Sequence, residues 1–348
     1  MLELFRNWYQ RHFSDPQAML LALFLTVCLA VILVMGEMLI PLLAAIVTAY
    51  LLDGPVCRME RLGLRRLLAV LVVFALFLAT LALIVLGLLP LLYHQIADYV
   101  AGLPVLFNDG QALLLGLPEA YPRFMAAEQV AEIMAQIRRV IAEIGQGIVS
   151  VSLAGIPAVL KIAVFLVLVP LLVFFILKDK RVILDWVQGF MPRDRRLLLR
   201  VWREMDAQLG NYVRGKLIEV LIVSVVTYIV FALMGLSYAA LFAVLVGVSA
   251  VVPFIGAVAV TLPVALAGYG QWGWGGDFAW FMIAYAVIQG LDGNLLVPLL
   301  FSEAVNLHPV AIIVAVLVFG GIWGFWGVFF AIPLATLVKS LLAVWPRA

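Results

Sequence analysis

Long stretches without a charged residue constrain this chain more than any other feature. Residues 16–36, 67–97 and 220–276 contain no Asp, Glu, Lys or Arg, and the last of them is 57 residues long. A helix of about 20 apolar residues crosses the ~30 Å hydrocarbon layer of a lipid bilayer. We therefore predict an all-α polytopic membrane protein, because each stretch is long enough for one or two crossings.

Composition excludes several other classes of protein. Hydrophobic residues make up 66% of the chain and charged residues 12%, whereas a soluble domain has about 25% charged residues. A disordered chain, a secreted disulfide scaffold and an ordinary soluble enzyme do not have this composition. The net charge of +2 predicts no nucleic-acid partner, and the two cysteines and three histidines lack the spacing of a metal site. No HExxH, GxSxG or P-loop motif occurs, so we predict no enzymatic activity and no cofactor.

The hydrophobic pattern predicts about eight transmembrane helices. In chain order the parts are helices one to three (1–92), an extracytoplasmic helical insert (93–152), helix four (153–177), a cytoplasmic basic amphipathic loop (178–216), helices five to eight (217–341) and a cytoplasmic tail (342–348). The first two helices are expected at 16–36 and 38–52, and a turn between helices five and six is expected at 235–238.

The distribution of Lys and Arg predicts which ends face the cytoplasm. With eight crossings and a cytoplasmic N-terminus, 18 of the 22 basic residues fall in cytoplasmic segments. Cytoplasmic segments of membrane proteins carry an excess of Lys and Arg. Both termini are therefore predicted in the cytoplasm, and a bacterial inner membrane is the expected location.

A stripe of apolar residues recurs in the extracytoplasmic insert at alternating steps of four and three. Its members are Val130, Met134, Ile137, Ile141, Ile144, Ile148 and Val151. This coiled-coil-like spacing predicts either a helix packed on its own domain or a subunit interface outside the membrane.

Asp292 stands out in the C-terminal half because it lies inside an otherwise apolar helix. An ionised Asp at the centre of a membrane helix costs about 2.5–3.5 kcal/mol, and such residues usually face a bundle interior or a watery cavity. Asp292 is therefore a candidate for taking up a proton or another cation, and a structural carboxyl is the alternative. The other polar residues assigned to the same pathway are Gln289, Asn294, Glu219 and Glu303.

Proline and glycine predict two interrupted helices near Asp292. Pro253 and Gly256 should interrupt helix six, and residues 294–298, which end in Pro298, should interrupt helix seven, because Pro removes a backbone donor and Gly weakens a helix. Freed backbone groups at mid-membrane are a recurring way to build transporter sites. Helix eight contains four glycines that predict either close helix packing or a hinge. They are Gly320, Gly321, Gly324 and Gly327.

Several motifs, taken in order, resemble those of the autoinducer-2 exporter family, the PerM-type permeases. They are Phe174-Phe175-Ile176-Leu177-Lys178-Asp179, Tyr212-Val213-Arg214-Gly215, Val252-Pro253-Phe254-Ile255-Gly256, Asp292-Gly293-Asn294 with Pro298, His308-Pro309, and Gly320-Gly321 with Gly324, Gly327 and Pro333. Glu is the more usual acid at the position of Asp292. The resemblance covers nearly the whole chain.

The resemblance implies a permease of the inner membrane. Members of the family are linked to export of autoinducer-2, and others to sodium/proton exchange, so a proton or sodium ion is the expected coupling ion. The resemblance also implies a homo-oligomer, such as a pentamer. We expect a secondary transporter that exports a small hydrophilic solute or exchanges ions. An oligomeric passive channel and a non-transporting membrane scaffold are the alternatives.

Overall fold

The computed structural model of the protein describes residues 16–103, 155–189, 196–301 and 307–344, together with positions 132, 135, 136 and 139. These residues are almost entirely helical, and no strand occurs among them. Within these ranges six helices are long and apolar enough to cross a membrane, or seven if one bent helix pair counts as a single span. The chain is therefore an all-α multi-pass membrane protein, which confirms the predicted fold class.

The N-terminal helix α1 (Pro16–Arg61) runs without interruption through 46 residues. The sequence predicted two helices here, at 16–36 and 38–52, with a turn between them. The turn does not form because a single glycine, Gly36, costs a helix only about 1 kcal/mol and strong helix formers flank it. The predicted helices one and two are one element. The predicted cytoplasmic placement of both termini relied on that turn, because one uninterrupted helix puts Pro16 and Arg61 at opposite ends.

Helices α2 and α3 pack against α1. Helix α2 (Arg66–Leu103) contains a π-helical turn at Ile84–Leu88 and takes up the first part of the predicted insert. The rest of the insert, including its apolar stripe, lies outside the described residues apart from four helical positions. Helix α3 (Gly155–Lys178) closes the group. Small buried side chains, among them Ala45 and Ala69, let the three backbones approach closely.

A bend of 80° separates α3 from the short helix α4 (Lys180–Gly189). Lys180 Nζ lies 2.7 Å from Asp53 Oδ2. Arg66 Nη2 donates to Leu177 O over 2.6 Å, and its Nη1 lies 3.4 Å from Glu60 Oε2. We call Asp53, Glu60, Arg66 and Lys180 the charged corner. It joins the ends of α1 and α3 to the start of α2, so α1 and α3 end on the same side of the bundle.

The described residues of the C-terminal half form six further helices. In chain order they are α5 (Arg196–Leu233), α6 (Ala239–Ser249), α7 (Ile255–Trp272), α8 (Gly276–Phe301), α9 (Pro309–Phe329) and α10 (Ala331–Val344). The segment predicted as a cytoplasmic loop is therefore helical where it is described, as α4 and the first part of α5. The predicted turn after α5 is confirmed, and Gly235 adopts φ 78° in it.

Helices α6 and α7 form a hairpin rather than one crossing, and we call them the first hairpin. At its closed end Gly256 packs directly on Ser249 O. At its open end Gln271 Nε2 donates to Gly235 O over 2.7 Å. The interruption predicted around Pro253 is present, but the chain reverses direction there. With 11 residues, α6 extends only about 16 Å, about half of the ~30 Å hydrocarbon layer. A hairpin that begins at one membrane surface therefore has its tip, residues 250–254, within that layer.

The second hairpin consists of residues 309–323, the first part of α9, and residues 325–344, the end of α9 together with α10. The chain leaves helical geometry at Gly324 (φ 58°, ψ −133°) and doubles back. Gly327 consequently packs on Phe319 O, and Ala331 is buried against Ala315. The sequence predicted one long helix with a packing or hinge role for its glycines. Gly324 and Gly327 instead build a reversal: φ 58° at Gly324 is a conformation that favours glycine, and the backbone contact at Gly327 leaves no room for a side chain.

The two hairpin units have opposite orientations. Helix α8 runs antiparallel to α5, since Phe301 at its end packs on Tyr212 near the start of the membrane part of α5, with ring centroids 5.7 Å apart. The open end of the first hairpin lies beside the C-terminal end of α5. The open end of the second hairpin lies beside the C-terminal end of α8, at the opposite end of the bundle. The predicted topology of eight crossings treated the first hairpin as one full crossing. It therefore made α8 run parallel to α5, whereas the structure shows the two helices antiparallel.

Candidate functional site

A buried ion pair lies where α5 meets the tip of the first hairpin. Lys216 Nζ is 2.7 Å from Glu219 Oε2, and the two side chains are only 5% and 2% exposed. Their spacing of three residues places them on one face of α5. Lys216 also donates to Ala250 O over 2.7 Å and lies 5.4 Å from the ring centroid of Phe301. One ammonium group therefore connects α5, the hairpin tip and α8.

The geometry of the tip explains why a lysine is needed there. Helix α6 ends at Ser249, and the N–H groups of residues 250–252 each donate to the carbonyl three residues back, which leaves Ala250 O as the next acceptor. The residue three positions after Ala250 is Pro253, which has no N–H to offer. Phe254 follows in a γ-turn with φ 62°, closed by a 2.7 Å hydrogen bond from Ile255 N to Pro253 O. Lys216 supplies the donor that the backbone of the tip cannot.

Asp292 faces this pair from α8. It begins a π-helical turn (Asp292–Leu296), is half-buried, and lies close enough to Lys216 and Glu219 for electrostatic interaction. Its Oδ1 atom is buried without a hydrogen-bond partner. The sequence pattern shows no base for Asp292, because Lys216 falls at the end of the predicted cytoplasmic loop (178–216). Lys216 in fact lies within the membrane span Gln208–Leu233. The spacing Lys216-x-x-Glu219 was the signal that could have revealed the pair.

The predicted interruption of helix seven is a π-helical turn and not a break. Val297 N donates to Asp292 O, five residues back, and helix α8 continues through Pro298 to Phe301. A π-turn holds one extra residue and leaves one carbonyl without its usual partner, and such turns are frequent at functional sites. Asn294 is exposed, and its Nδ2 donates to Gly290 O over 2.9 Å. Its amide group thus supports its own helix.

Gln289 belongs to a polar chain that joins α8 to the first hairpin. Its Nε2 donates to Tyr285 Oη over 2.7 Å, and Tyr285 Oη lies 2.9 Å from Thr261 Oγ1. Thr261 in turn donates to Ala257 O over 2.7 Å. The sequence analysis did not include Tyr285 or Thr261, because neither residue is unusual in a membrane helix.

The remaining predicted site residues are placed as follows. Glu219 is deep in the bundle, Pro253 and Gly256 form the tip of the first hairpin, and Glu303 lies outside the described residues. Gly321 is exposed and away from the contacts that close the second hairpin. Among the described residues, no group of three or more His, Cys, Asp or Glu side chains is arranged to hold a metal ion.

The arrangement resembles a general plan of membrane transporters. Inverted structural units, with discontinuous helices that meet inside the bilayer, commonly enclose the site for a solute or ion. Here the tip of the first hairpin, the buried lysine and two carboxylates meet between the inverted units. Freed backbone groups and charges in one place can bind and release a polar cargo inside the membrane.

Comparison with known proteins also indicates a membrane transporter. A profile described as AI-2E family transporter matches residues 20–347. The chain is 45% identical over 346 residues to "Putative permease PerM" of Escherichia coli (strain K12), covering 99% of this chain and 98% of the relative. It is 28% identical over 323 residues to "Putative transport protein YrrI" of Bacillus subtilis (strain 168), covering 89% and 87% of the two chains. The chain therefore belongs to the AI-2E family of membrane transporters.

Proposed function

We propose that this membrane transporter is a secondary transporter. It moves a small hydrophilic solute, such as autoinducer-2, outward across the bacterial inner membrane, or it exchanges ions. The coupling ion is a proton or a sodium ion. The observation that carries the proposal is the contact of Lys216 with both Glu219 and Ala250 O, beside Asp292, at the tip of a hairpin that ends inside the bilayer.

The charge balance of this cluster supports coupling to a monovalent cation. One ammonium group and two carboxylates carry a net charge of −1 when all three are ionised. An unbalanced charge in the membrane interior is costly. One proton or one sodium ion makes the cluster neutral, so its binding and release would change the energy of moving this part of the protein.

The hairpin tip provides a way to couple the ion to the cargo. Lys216 holds the tip through Ala250 O, and Asp292 lies close enough to attract the same ammonium group. When a cation neutralises Asp292, Lys216 keeps its contacts with Glu219 and Ala250 O. When that cation is released, the negative charge of Asp292 attracts Lys216 away from the hairpin tip. The backbone groups of residues 250–254 are then free to bind a polar solute.

The orientation of the chain is part of the proposal. The charged corner, the basic residues of α4 and the arginine-rich start of α5 lie at one end of the bundle. The positive-inside rule assigns that end to the cytoplasm. The first hairpin would then enter from the outer side and the second from the cytoplasmic side. Assembly as a homo-oligomer, such as a pentamer, is proposed from the family resemblance, and cross-linking in native membranes would test it.

Flux through proteoliposomes tests the role of Asp292. Asp292→Asn removes the titratable carboxylate at nearly constant size, so we expect gradient-driven flux to fall at least tenfold and to lose its dependence on pH. The cargo panel is sodium, potassium and autoinducer-2, each measured with an imposed proton gradient. Asp277→Asn, an exposed acid at the other end of α8, is the matched control and should keep normal flux.

The same assay separates a coupled transporter from a passive channel. Uphill accumulation of the cargo, driven by a proton or sodium gradient, requires coupling. Full, pH-dependent flux in Asp292→Asn would contradict the role of Asp292. Flux that only follows the cargo's own gradient would favour the channel.

A further inference from the structure

Helix α4 (Lys180–Gly189) has a direction that differs from that of the membrane-crossing helices. It follows α3 after a single residue and is bent from it by 80°. Membrane-crossing helices tilt on average by about 20° from the bilayer normal. A helix at 80° to one of them therefore lies close to the plane of the membrane.

The charged corner defines the depth at which α4 begins. Lys180, the first residue of α4, pairs with Asp53, and Arg66 pairs with Glu60 and with Leu177 O. Ionised groups are strongly disfavoured in the hydrocarbon layer. Three helices have their charged ends at this corner, so the corner marks the boundary between hydrocarbon and water. Helix α4 starts at that boundary.

The residues of α4 divide into two faces. At 3.6 residues per turn, the apolar side chains cover about 200° of the helix. They are Val182, Ile183, Leu184, Trp186 and Val187. The polar residues Arg181, Asp185 and Gln188 occupy the opposite side, and Lys180, the one charged residue within the apolar arc, pairs with Asp53 at the start of the helix. Every residue from Arg181 to Gly189 is exposed, with Val182 at 68% and Trp186 at 67%. In the described residues the aliphatic side chains of this face, Val182, Ile183, Leu184 and Val187, are therefore all exposed.

We propose that α4 is a membrane-surface helix that binds the anionic lipids of the leaflet on the side of the charged corner. Its apolar face enters the boundary between headgroups and acyl chains, and Trp186 lies at the level that tryptophan prefers in membranes. Lys178 and Arg181 lie at the bend, and Arg193, Arg195 and Arg196 follow in the sequence. Basic residues near the membrane surface attract anionic lipid.

Site-specific fluorescence in liposomes tests the two faces of α4. The full chain with Cys28→Ser and Cys57→Ser receives one new cysteine, either Ile183→Cys on the apolar face or Asp185→Cys on the polar face. Each variant is labelled with an environment-sensitive fluorophore and reconstituted. We expect spin-labelled lipid to quench the label at position 183 several-fold more than that at 185, and aqueous iodide to show the reverse order.

The composition of the liposomes tests the lipid class. Adding phosphatidylglycerol to phosphatidylcholine should increase lipid quenching at position 183, and Arg181→Glu should reduce that increase. Equal iodide quenching at both positions would overturn the proposal, because α4 would then lie in water. Protection of position 183 from both quenchers would overturn it too, because protein, such as a second copy of the chain, would then cover the face. If adding phosphatidylglycerol does not increase lipid quenching at position 183, the preference for anionic lipid is refuted.

Discussion

Lys216 and Lys180 form ion pairs of equal length in very different surroundings. Both place Nζ 2.7 Å from a carboxylate oxygen, but the side chain of Lys216 is 5% exposed and that of Lys180 is 43% exposed. Burial removes the hydration energy of both charges, and their mutual attraction offsets this loss only while both partners are present. The pair of Lys180 is partly exposed, with Asp53 at 19%, and a pair at the surface contributes about 0–1 kcal/mol. Loss of one partner should therefore have different consequences at the two places.

Lys216→Met should destabilise the protein by roughly 3–5 kcal/mol, because it leaves Glu219 buried without its partner. Lys180→Met is the matched control and should cost about 1 kcal/mol or less. Denaturant unfolding in detergent micelles measures both. The double variant Lys216→Met/Glu219→Gln should recover most of the stability while flux stays low. Equal losses for the two single lysine variants would contradict a special role for burial.

At the scale of the elements, the two hairpins close through close backbone contacts at glycine. A Cβ atom at Gly256 would overlap Ser249 O, and one at Gly327 would overlap Phe319 O. In each hairpin the second helix can lie this near to the first only because glycine has no side chain. The sequence shows the glycines, but their partners are known only once the chain has reversed.

Gly327→Ala should open or distort the second hairpin, because overpacking against a backbone atom costs roughly 1–3 kcal/mol or more. Gly321→Ala is the matched control, since no atom lies within 4 Å of the added Cβ, and it should leave stability unchanged or slightly raised. Thermal unfolding followed by tryptophan fluorescence compares them. A normal melting temperature for Gly327→Ala would mean that the hairpin is not closed as described.

At the scale of the whole molecule, the inverted units determine which residues share a side of the membrane. Because the first hairpin returns to its side of entry, Asp277 at the start of α8 lies near the turn at Gly235 and far from Arg61. A full crossing in place of the first hairpin would put Asp277 on the same side as Arg61. The position of one residue therefore distinguishes a re-entrant hairpin from a crossing.

Membrane-impermeant maleimide tests this topology in whole cells. With Cys28→Ser and Cys57→Ser, we expect Asp277→Cys to be labelled from outside and Arg61→Cys only after the cells are permeabilised. Arg61 ends a helix at the charged corner, so it reports on the cytoplasmic side in the same preparation. Protection of both cysteines in intact cells would show that the first hairpin crosses the membrane.

Much of the fold and part of the site could be predicted from the sequence. Apolar runs without charges required membrane helices, because a bilayer offers the backbone no other partner for its hydrogen bonds. The residues around Pro253 marked a place where a helix cannot continue undisturbed, whereas Gly324 indicated only close packing or a hinge. Asp292 was visible because a charge in an apolar run is rare. The depth of Lys216 was not visible, since it follows a basic segment directly in the sequence.

The sequence by itself determined that this protein is a helical membrane protein with disturbed helices and an acid in its C-terminal half. Only the tertiary structure decided that the disturbances at residues 250–254 and at Gly324 are reversals, because direction depends on local φ and ψ and on which backbones can touch. It also decided that Asp292 has a lysine nearby. That lysine belongs to another helix, and charge balance inside a bilayer depends on distance in space.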